Sequence, residues 1–272
     1  MDSLEEKLIK GKWVSPLALI EAQHHAERTG KSLFCSLIKL GHISEEDVFR
    51  FFAVNSNIPF IKVSQYRIKD EVLTLLDENF CRENLVIPLF KIDSALFVAM
   101  VNPLDAQLIA NISTSTKLDI HPLLASPTDI ERALNNYWGY PNSFFSVERL
   151  VFKHEKLSSF PLYRAKERIP LDIPINFKID DSNVQLANDG YILGSTFDVS
   201  EDISALGIKT SIFLPKGARL TLYFLHNEKL KIKGEVVYCR LEGKGYFSLG
   251  VRLLDLKSED ISYIKRLSKP LT

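Results

Sequence analysis

"LYRAKERIPLDIPINFKI", Leu162 to Ile179, changes character halfway along. From Leu171 onward the apolar residues Leu171, Ile173, Ile175, Phe177 and Ile179 fall at every second position, the period of a half-buried β-strand. Before it, Arg164 and Arg168 stand four apart around a Lys and a Glu, a spacing that on a helix would set both on one exposed face. Pro161 and Pro170 bracket the pair, so the arginines are read as an irregular arm leading into a sheet. Two planar guanidinium forks on such an arm suit an anionic, planar partner.

Working outward, "IKTSIFLP", "ARLTLYFLH", "LKIKGEVVYCRL" and "YFSLGVRLLDL" follow at roughly 10-residue spacing, that of a small antiparallel sandwich or barrel. "SEDISYIKRL" then reads as a helix with Ile261, Ile264 and Leu267 on one face, long enough to plug or cover a barrel mouth. Between the strands, "DISALG" (Asp202 to Gly207) is a polar turn whose Asp and Ser can bond their own backbone. In the other direction, residues 141–160 lack a clean period and read as a linker.

The first half carries a repeat. "VSPLALIEA" (14–22) and "ISEEDVFRF" (43–51) share a pattern at an offset of 29 positions. In the second copy Ser44 caps a helix, Glu45, Glu46 and Asp47 favour its positive end, and Val48, Phe51, Phe52 and Asn55 line one face. Residues 1–60 are therefore expected to be helical hairpins, ending at "NIPF". Residues 61–140 read as a small α/β unit: a hairpin turning at Asp93 and Ser94, a helix over "NPLDAQLIANI", a strand over "KLDIHPLLA", and a helix capped by Ser126 with Pro127 first and Gly139 just past its end.

Composition closes off several function classes. The 272 residues hold 34 basic and 34 acidic side chains, and a protein that grips duplex nucleic acid needs an excess of the former. Apolar runs such as "ALFVAM" are far shorter than the roughly 20 residues of a membrane span, and "MDSLEEKLIK" is unlike a signal peptide, so no membrane insertion and a cytoplasmic location are expected. Cys35, Cys81 and Cys239 are too scattered for a disulfide framework or a metal site and are read as partly buried hydrophobes. His24 and His25 lack the one-turn spacing of a zinc helix and are read as exposed. Gly30-Lys31-Ser32 ends like a phosphate-binding loop, but His25 stands where the first Gly belongs and a helix precedes it. No nucleophile elbow is present, so no enzyme, metal or cofactor is expected.

Two resemblances organise these readings. "ERTGKSLFCSLIKLGHISEEDVFRFFAVNSNIPF", "ENLVIPLFKIDSALFVAMVNPLDAQLI" and "HPLLASPTDIERALNNYWG" together resemble the N-terminal, MshEN-like domain of type II secretion and type IV pilus assembly ATPases. Some members of that family bind cyclic di-GMP through two copies of RLGxxLVxxGxIxxxxLxxALxxQ. The better copy here keeps Leu33, Leu37, Ile38, Gly41 and Ile43, but has Ser32 for the Arg, Phe34 for the first Gly and Asn55 for the Gln, which argues against binding by this half. "RAKER" as RxxxR followed by "DISALG" as DxSxxG, in a strand-rich stretch ending in "YFSLGVRLLDL", resembles the PilZ family.

The second resemblance implies a cyclic di-GMP receptor with Arg164, Arg168, Asp202, Ser204 and Gly207 at its site. The arginines would take phosphate oxygens or guanine edges, Asp202 the guanine donors, Ser204 phosphate or base, and Gly207 would let the backbone come close. Tyr163 stands where many relatives carry a further Arg, which leaves one or two ligand molecules open. The expected architecture is α+β and multidomain: 1–140 ATPase-front-like, 141–160 linker, 161–272 an antiparallel PilZ β-barrel with a C-terminal helix. The expected partner is a protein of pilus, secretion or motility machinery, and the alternative is a ligand-free adaptor of that machinery.

Overall fold

The computed structural model describes residues 3–56, 58–140, 168–181, 183–188, 190–225, 227–242 and 246–268. The linker expected at 141–160, and Arg164 with it, lie outside them.

A serine opens each helix of the N-terminal repeat. Ser3 caps α1 (Leu4–Lys10), Ser15 caps α2 (Pro16–Thr29) and Ser32 caps α3 (Leu33–Lys39). In α4 (Glu45–Ser56) the Asp47 N–H donates to Ser44 Oγ at 3.0 Å. Each such cap is worth about 1 kcal/mol. The repeat is structural as well as sequential: Lys12 (φ 54°) and Gly41 (φ 75°), 29 positions apart, make the same left-handed turn between paired helices. Lysine tolerates that conformation at a cost of about 1 kcal/mol that glycine escapes. The hairpins close over Leu8, Leu37, Val48 and Phe51, all buried.

After a 3₁₀ turn at Val63–Gln65 come β1 (Tyr66–Arg67), α5 (Asp70–Leu73), α6 (Glu78–Asn84), β2 (Val86–Ile92), β3 (Ala95–Met100), α7 (Ala106–Thr116), β4 (Asp119–Leu124) and α8 (Pro127–Trp138). β2 and β3 form an antiparallel hairpin through Asp93 and Ser94, and β4 lies parallel to β3 after the α7 crossover. β3 is buried almost end to end because helices cover the sheet, which is why "ALFVAM" is continuously apolar. Arg82, buried on α6, ties the end of α8 down: it donates to Glu78 at 2.8 Å, Asn135 Oδ1 at 3.0 Å and the Gly139 carbonyl at 2.6 Å.

The rest of the chain builds β5 (Arg168–Pro170), β6 (Pro174–Ile179), β7 (Gln185–Leu186), β8 (Ile192–Ser200), β9 (Ala205–Thr210), β10 (Arg219–Phe224), β11 (Asn227–Glu242), β12 (Tyr246–Leu254) and α9 (Ser258–Leu267). The order β8-β6-β10-β11-β12-β9 closes through an antiparallel β8–β9 pair, giving a six-stranded antiparallel barrel with β5 added on β8. Its core is the predicted stripe of Ile175 and Phe177 with Leu206, Ile208, Leu220, Leu222, Leu249 and Val251.

Two differences from the sequence reading matter. The strand expected at "IKTSIFLP" starts earlier, at Ala205, and stops at Thr210, leaving Ile212, Phe213 and Leu214 buried outside it. β8 carries no apolar alternation, because its inward positions include Thr196 and Asp198. Thr196 Oγ1 donates to the Leu171 carbonyl at 2.7 Å and accepts from the Ile173 N–H at 2.9 Å, satisfying backbone where the chain bends between β5 and β6.

Module and barrel meet directly. β1 pairs antiparallel with β7, Tyr66 opposite Leu186 and Arg67 opposite Gln185, and the Ala187 N–H donates to the Gln65 carbonyl at 2.9 Å. No helix among the described residues is long and apolar enough to cross a membrane.

Candidate ligand-binding site

Strand β8 ends at Ser200 and β9 begins at Ala205, so the four residues between them make a tight corner at one end of the barrel. Asp202 organises it. Its Oδ1 accepts from Ser200 Oγ at 2.8 Å, Ser204 Oγ at 2.7 Å and the Ser204 N–H at 3.2 Å, while Ser200 Oγ accepts from the Ala205 N–H at 2.9 Å. β12 holds the corner from the other side through the Leu253 N–H, which donates to the Ser204 carbonyl at 2.9 Å.

Ile203 sits at the apex with φ 59° and is fully buried. A β-branched residue in the left-handed region is a genuine backbone outlier, and burial of its side chain holds it there. Nothing in the one-letter code marks this residue, which occupies a variable position of the DxSxxG pattern. The result is a corner that presents oxygen-rich side chains on a backbone fixed from two sides.

Gly207 lies three residues on, in register with Asp198 of β8. A Cβ there would stand 2.6 Å from the Phe197 ring and against Asp198 Oδ1. The bare backbone thus leaves room for two side chains of the barrel itself. Asp198, buried beside it, is a second residue that sequence reasoning missed; a polar residue at an inward strand position was the available signal.

The expected arm divides. Arg168 opens β5, its backbone opposite Ser200 and therefore beside the corner, with Ile169 opposite Val199. The stretch is a short strand at that point rather than irregular chain, because β6 pairs with β8 only from Ile192 to Ser195 and leaves that edge of Asp198, Val199 and Ser200 for β5. The Arg168 side chain lies outside the described residues, as does the whole of Arg164. Backbone pairing thus brings Arg168 to Ser200, and local hydrogen bonds bring Asp202 and Ser204 together; Gly207 stands behind them on β9.

The N-terminal residues that depart from the ATPase pattern each have a local role. Ser32 Oγ accepts from the Cys35 N–H at 3.2 Å, Phe34 packs at 4.9 Å from Phe52 and 5.9 Å from Phe51, and Asn55 Nδ2 donates to the Phe51 carbonyl at 2.8 Å. Gly30 ends α2 in a left-handed cap (φ 68°), so Gly-Lys-Ser is helix punctuation.

His25 is half-buried, with Nδ1 3.0 Å from Ser36 Oγ, while His24 is exposed as expected. The thiols differ from one another: Cys35 is exposed, whereas burial pushes Cys81 and Cys239 up to about 12. Among the described residues no three His, Cys, Asp or Glu side chains gather where they could hold a metal ion.

Residues 56–143 match the MshEN domain family and residues 163–269 the PilZ domain family. The type IV pilus assembly ATPase PilB of Myxococcus xanthus (strain DK1622) is 24% identical over 135 residues, half of this chain; the chain spans about a quarter (24%) of that protein's length.

Among solved structures, MshE with cdg aligns at TM-score 0.43 and 22% identity, covering 51% of this chain and all of that one. The XpsE N-terminal domain aligns at 0.38 and 19%, covering 50% and 97%. The PilZ domain of YcgR from Escherichia coli with c-di-GMP aligns at 0.29 and 14%, covering 39% and 89%. The two family matches, MshEN and PilZ, thus lie one after the other along the chain, and the MshEN match begins at residue 56, where the helical repeat ends.

Proposed function

We propose that this protein is a cyclic di-GMP receptor that binds the messenger at the β8–β9 corner and passes its state to pilus, secretion or motility machinery. The observation that carries the reading is the Asp202–Ser204 corner held beside the Arg168 position, within the PilZ match. The site residues proposed are Arg164, Arg168, Asp202, Ser204 and Gly207. Guanidinium groups bind phosphate oxygens in bidentate fashion and stack on purine faces, and a carboxylate takes guanine N–H donors. Gly207 acts indirectly, by seating Phe197 and Asp198 behind the corner.

Domain limits of 1–140, 141–160 and 161–272 go with this reading, and the role is binding without catalysis. The link to pilus or secretion machinery is supported by the MshEN match and the likeness to the pilus ATPase. The N-terminal module takes no messenger in this reading, since Ser32, Phe34 and Asn55 are committed to a cap, a core and a helix carbonyl.

Calorimetric titration tests it. Cyclic di-GMP binds at micromolar or tighter concentration and ATP binds negligibly; no heat with cyclic di-GMP, or turnover of ATP, refutes the proposal. One observation favours the rival reading of a ligand-free adaptor: Asp202 Oδ1 is already engaged by Ser200 and Ser204. An adaptor shows no heat at any messenger concentration.

A further inference from the structure

The seam between module and barrel has a construction that neither domain's motif accounts for. Its β1–β7 ribbon has two rungs, and a ribbon that short has little stability of its own. What lies beneath it is larger. Tyr66 is only 4% exposed, and its hydroxyl donates to the Phe213 carbonyl, across the seam, at 2.7 Å. Burial raises its phenol well above the ordinary value, with Cys239 of β11 beside it.

Ring contacts run from Tyr66 to Phe90 (5.9 Å) and Phe90 to Phe97 (4.8 Å) within the module, then from Phe97 to Phe213 (6.5 Å) and Phe213 to Phe247 (5.9 Å) in the barrel. The two domains therefore share an aromatic core and a buried hydrogen bond, and parting them would strip both.

Phe213 also stands at one end of a path. It follows β9, six residues that rise about 20 Å. The other end of β9 is the Asp202–Ser204 corner. β9 is hydrogen-bonded on both edges, to β8 and to β12, so neither end can let go without the barrel opening.

We infer that the seam makes the N-terminal module and the barrel one cooperative folding unit, so that a ligand at the β8–β9 corner protects the core of a module it never touches. The identity of that ligand rests on the function proposed above; the cooperativity does not. A ligand that binds only the folded unit slows every exchange event that requires the unit to open by the factor 1 + [L]/Kd. At a hundred times Kd that factor is about 100. Separate domains confine the slowing to the barrel.

The experiment is hydrogen exchange on the full chain, read by mass spectrometry with and without cyclic di-GMP at a hundred times the Kd found by calorimetry. Peptides from β2–β3 and from α8 slow by about 100-fold, the factor seen in β10–β11. Slowing confined to the barrel overturns the inference.

A ligand-free arm separates its failure from that of the functional proposal. The two tryptophans, Trp13 and Trp138, both lie in the N-terminal module, so their fluorescence follows that module through a denaturant titration while exchange in β10–β11 follows the barrel. Coincident midpoints support the shared unit even where cyclic di-GMP gives no heat, and separated midpoints overturn it. Tyr66→Ala, which removes the shared ring and hydroxyl, splits the two midpoints; coincidence that survives the substitution refutes the part assigned to Tyr66.

Discussion

Gly207→Ala tests whether the last residue of the DxSxxG turn serves the barrel or the ligand. The added methyl would stand 2.6 and 2.7 Å from two atoms of the Phe197 ring and against Asp198 Oδ1. Asp198 cannot withdraw easily, because it is buried and lies directly across the β8–β9 pair from Gly207. Overpacking of this kind costs about 1–3 kcal/mol, and two obstructing groups place it in the upper half of that range.

The smaller entropy of the unfolded alanine chain offsets about 0.4–1 kcal/mol, leaving a net loss of about 2 kcal/mol. For a 272-residue unit that lowers Tm by roughly 3–4 °C. The assay is calorimetric melting without ligand, with Gly30→Ala as control: Gly30 has φ 68° and nothing within 4 Å of the added Cβ, so it carries only the left-handed backbone cost of about 1 kcal/mol. A Gly207→Ala protein that melts within 1 °C of the parent refutes the packing argument and returns this glycine to the ligand.

Arg164→Ala and Arg168→Ala each weaken cyclic di-GMP binding by about 1.5 kcal/mol or more, the scale of a charged hydrogen bond left unmade, and leave the ligand-free Tm nearly unchanged; titration like the parent shows a solvated charge run. Arg82→Met costs about 2–3 kcal/mol of stability by urea unfolding, since it abandons Asn135 Oδ1 and the Gly139 carbonyl, while Arg82→Lys restores only part; equal losses in the two variants would contradict the three-way grip. Thiol titration labels Cys35 fast in the native protein and all three cysteines in denaturant, and fast native labelling of Cys81 refutes its burial. Cys81 and Cys239 also make stability pH-dependent. Their folded pKa values of about 12 lie above the ordinary 9.0, so their contribution is full below pH 9 and is lost as pH rises towards 12, because the unfolded chain ionises first. By pH 10 each costs on the order of 1 kcal/mol, and Cys81→Ala or Cys239→Ala removes its share of that fall; identical pH profiles in parent and variants count against it.

What could be read from the sequence was whatever repeats with a period or punctuates an element. The serine caps at 44 and 126, the turn at Asp93 and Ser94, and the stripe from Leu171 to Phe177 all announce themselves locally. β8 did not, since its buried Thr196 serves the backbone and its buried Asp198 lies against Gly207, and neither continues an apolar face. Nor did Ile203, whose strain exists only once β12 and Ser200 grip the turn. The seam was invisible for a plainer reason: Tyr66 and Arg67 are two residues with no period, and their partners Gln185 and Leu186 are distant in the chain.

That distance sets an order of events during synthesis. About 120 residues must be added after Arg67 before Leu186 exists, and at 5–20 residues per second this takes roughly 6–24 s. For that interval the newborn module shows Tyr66 and Phe97 to the surroundings with no barrel to receive them. A ribosome that stalls between those two codons leaves a chain with a sticky aromatic corner, the kind of surface that chaperones and proteases sort.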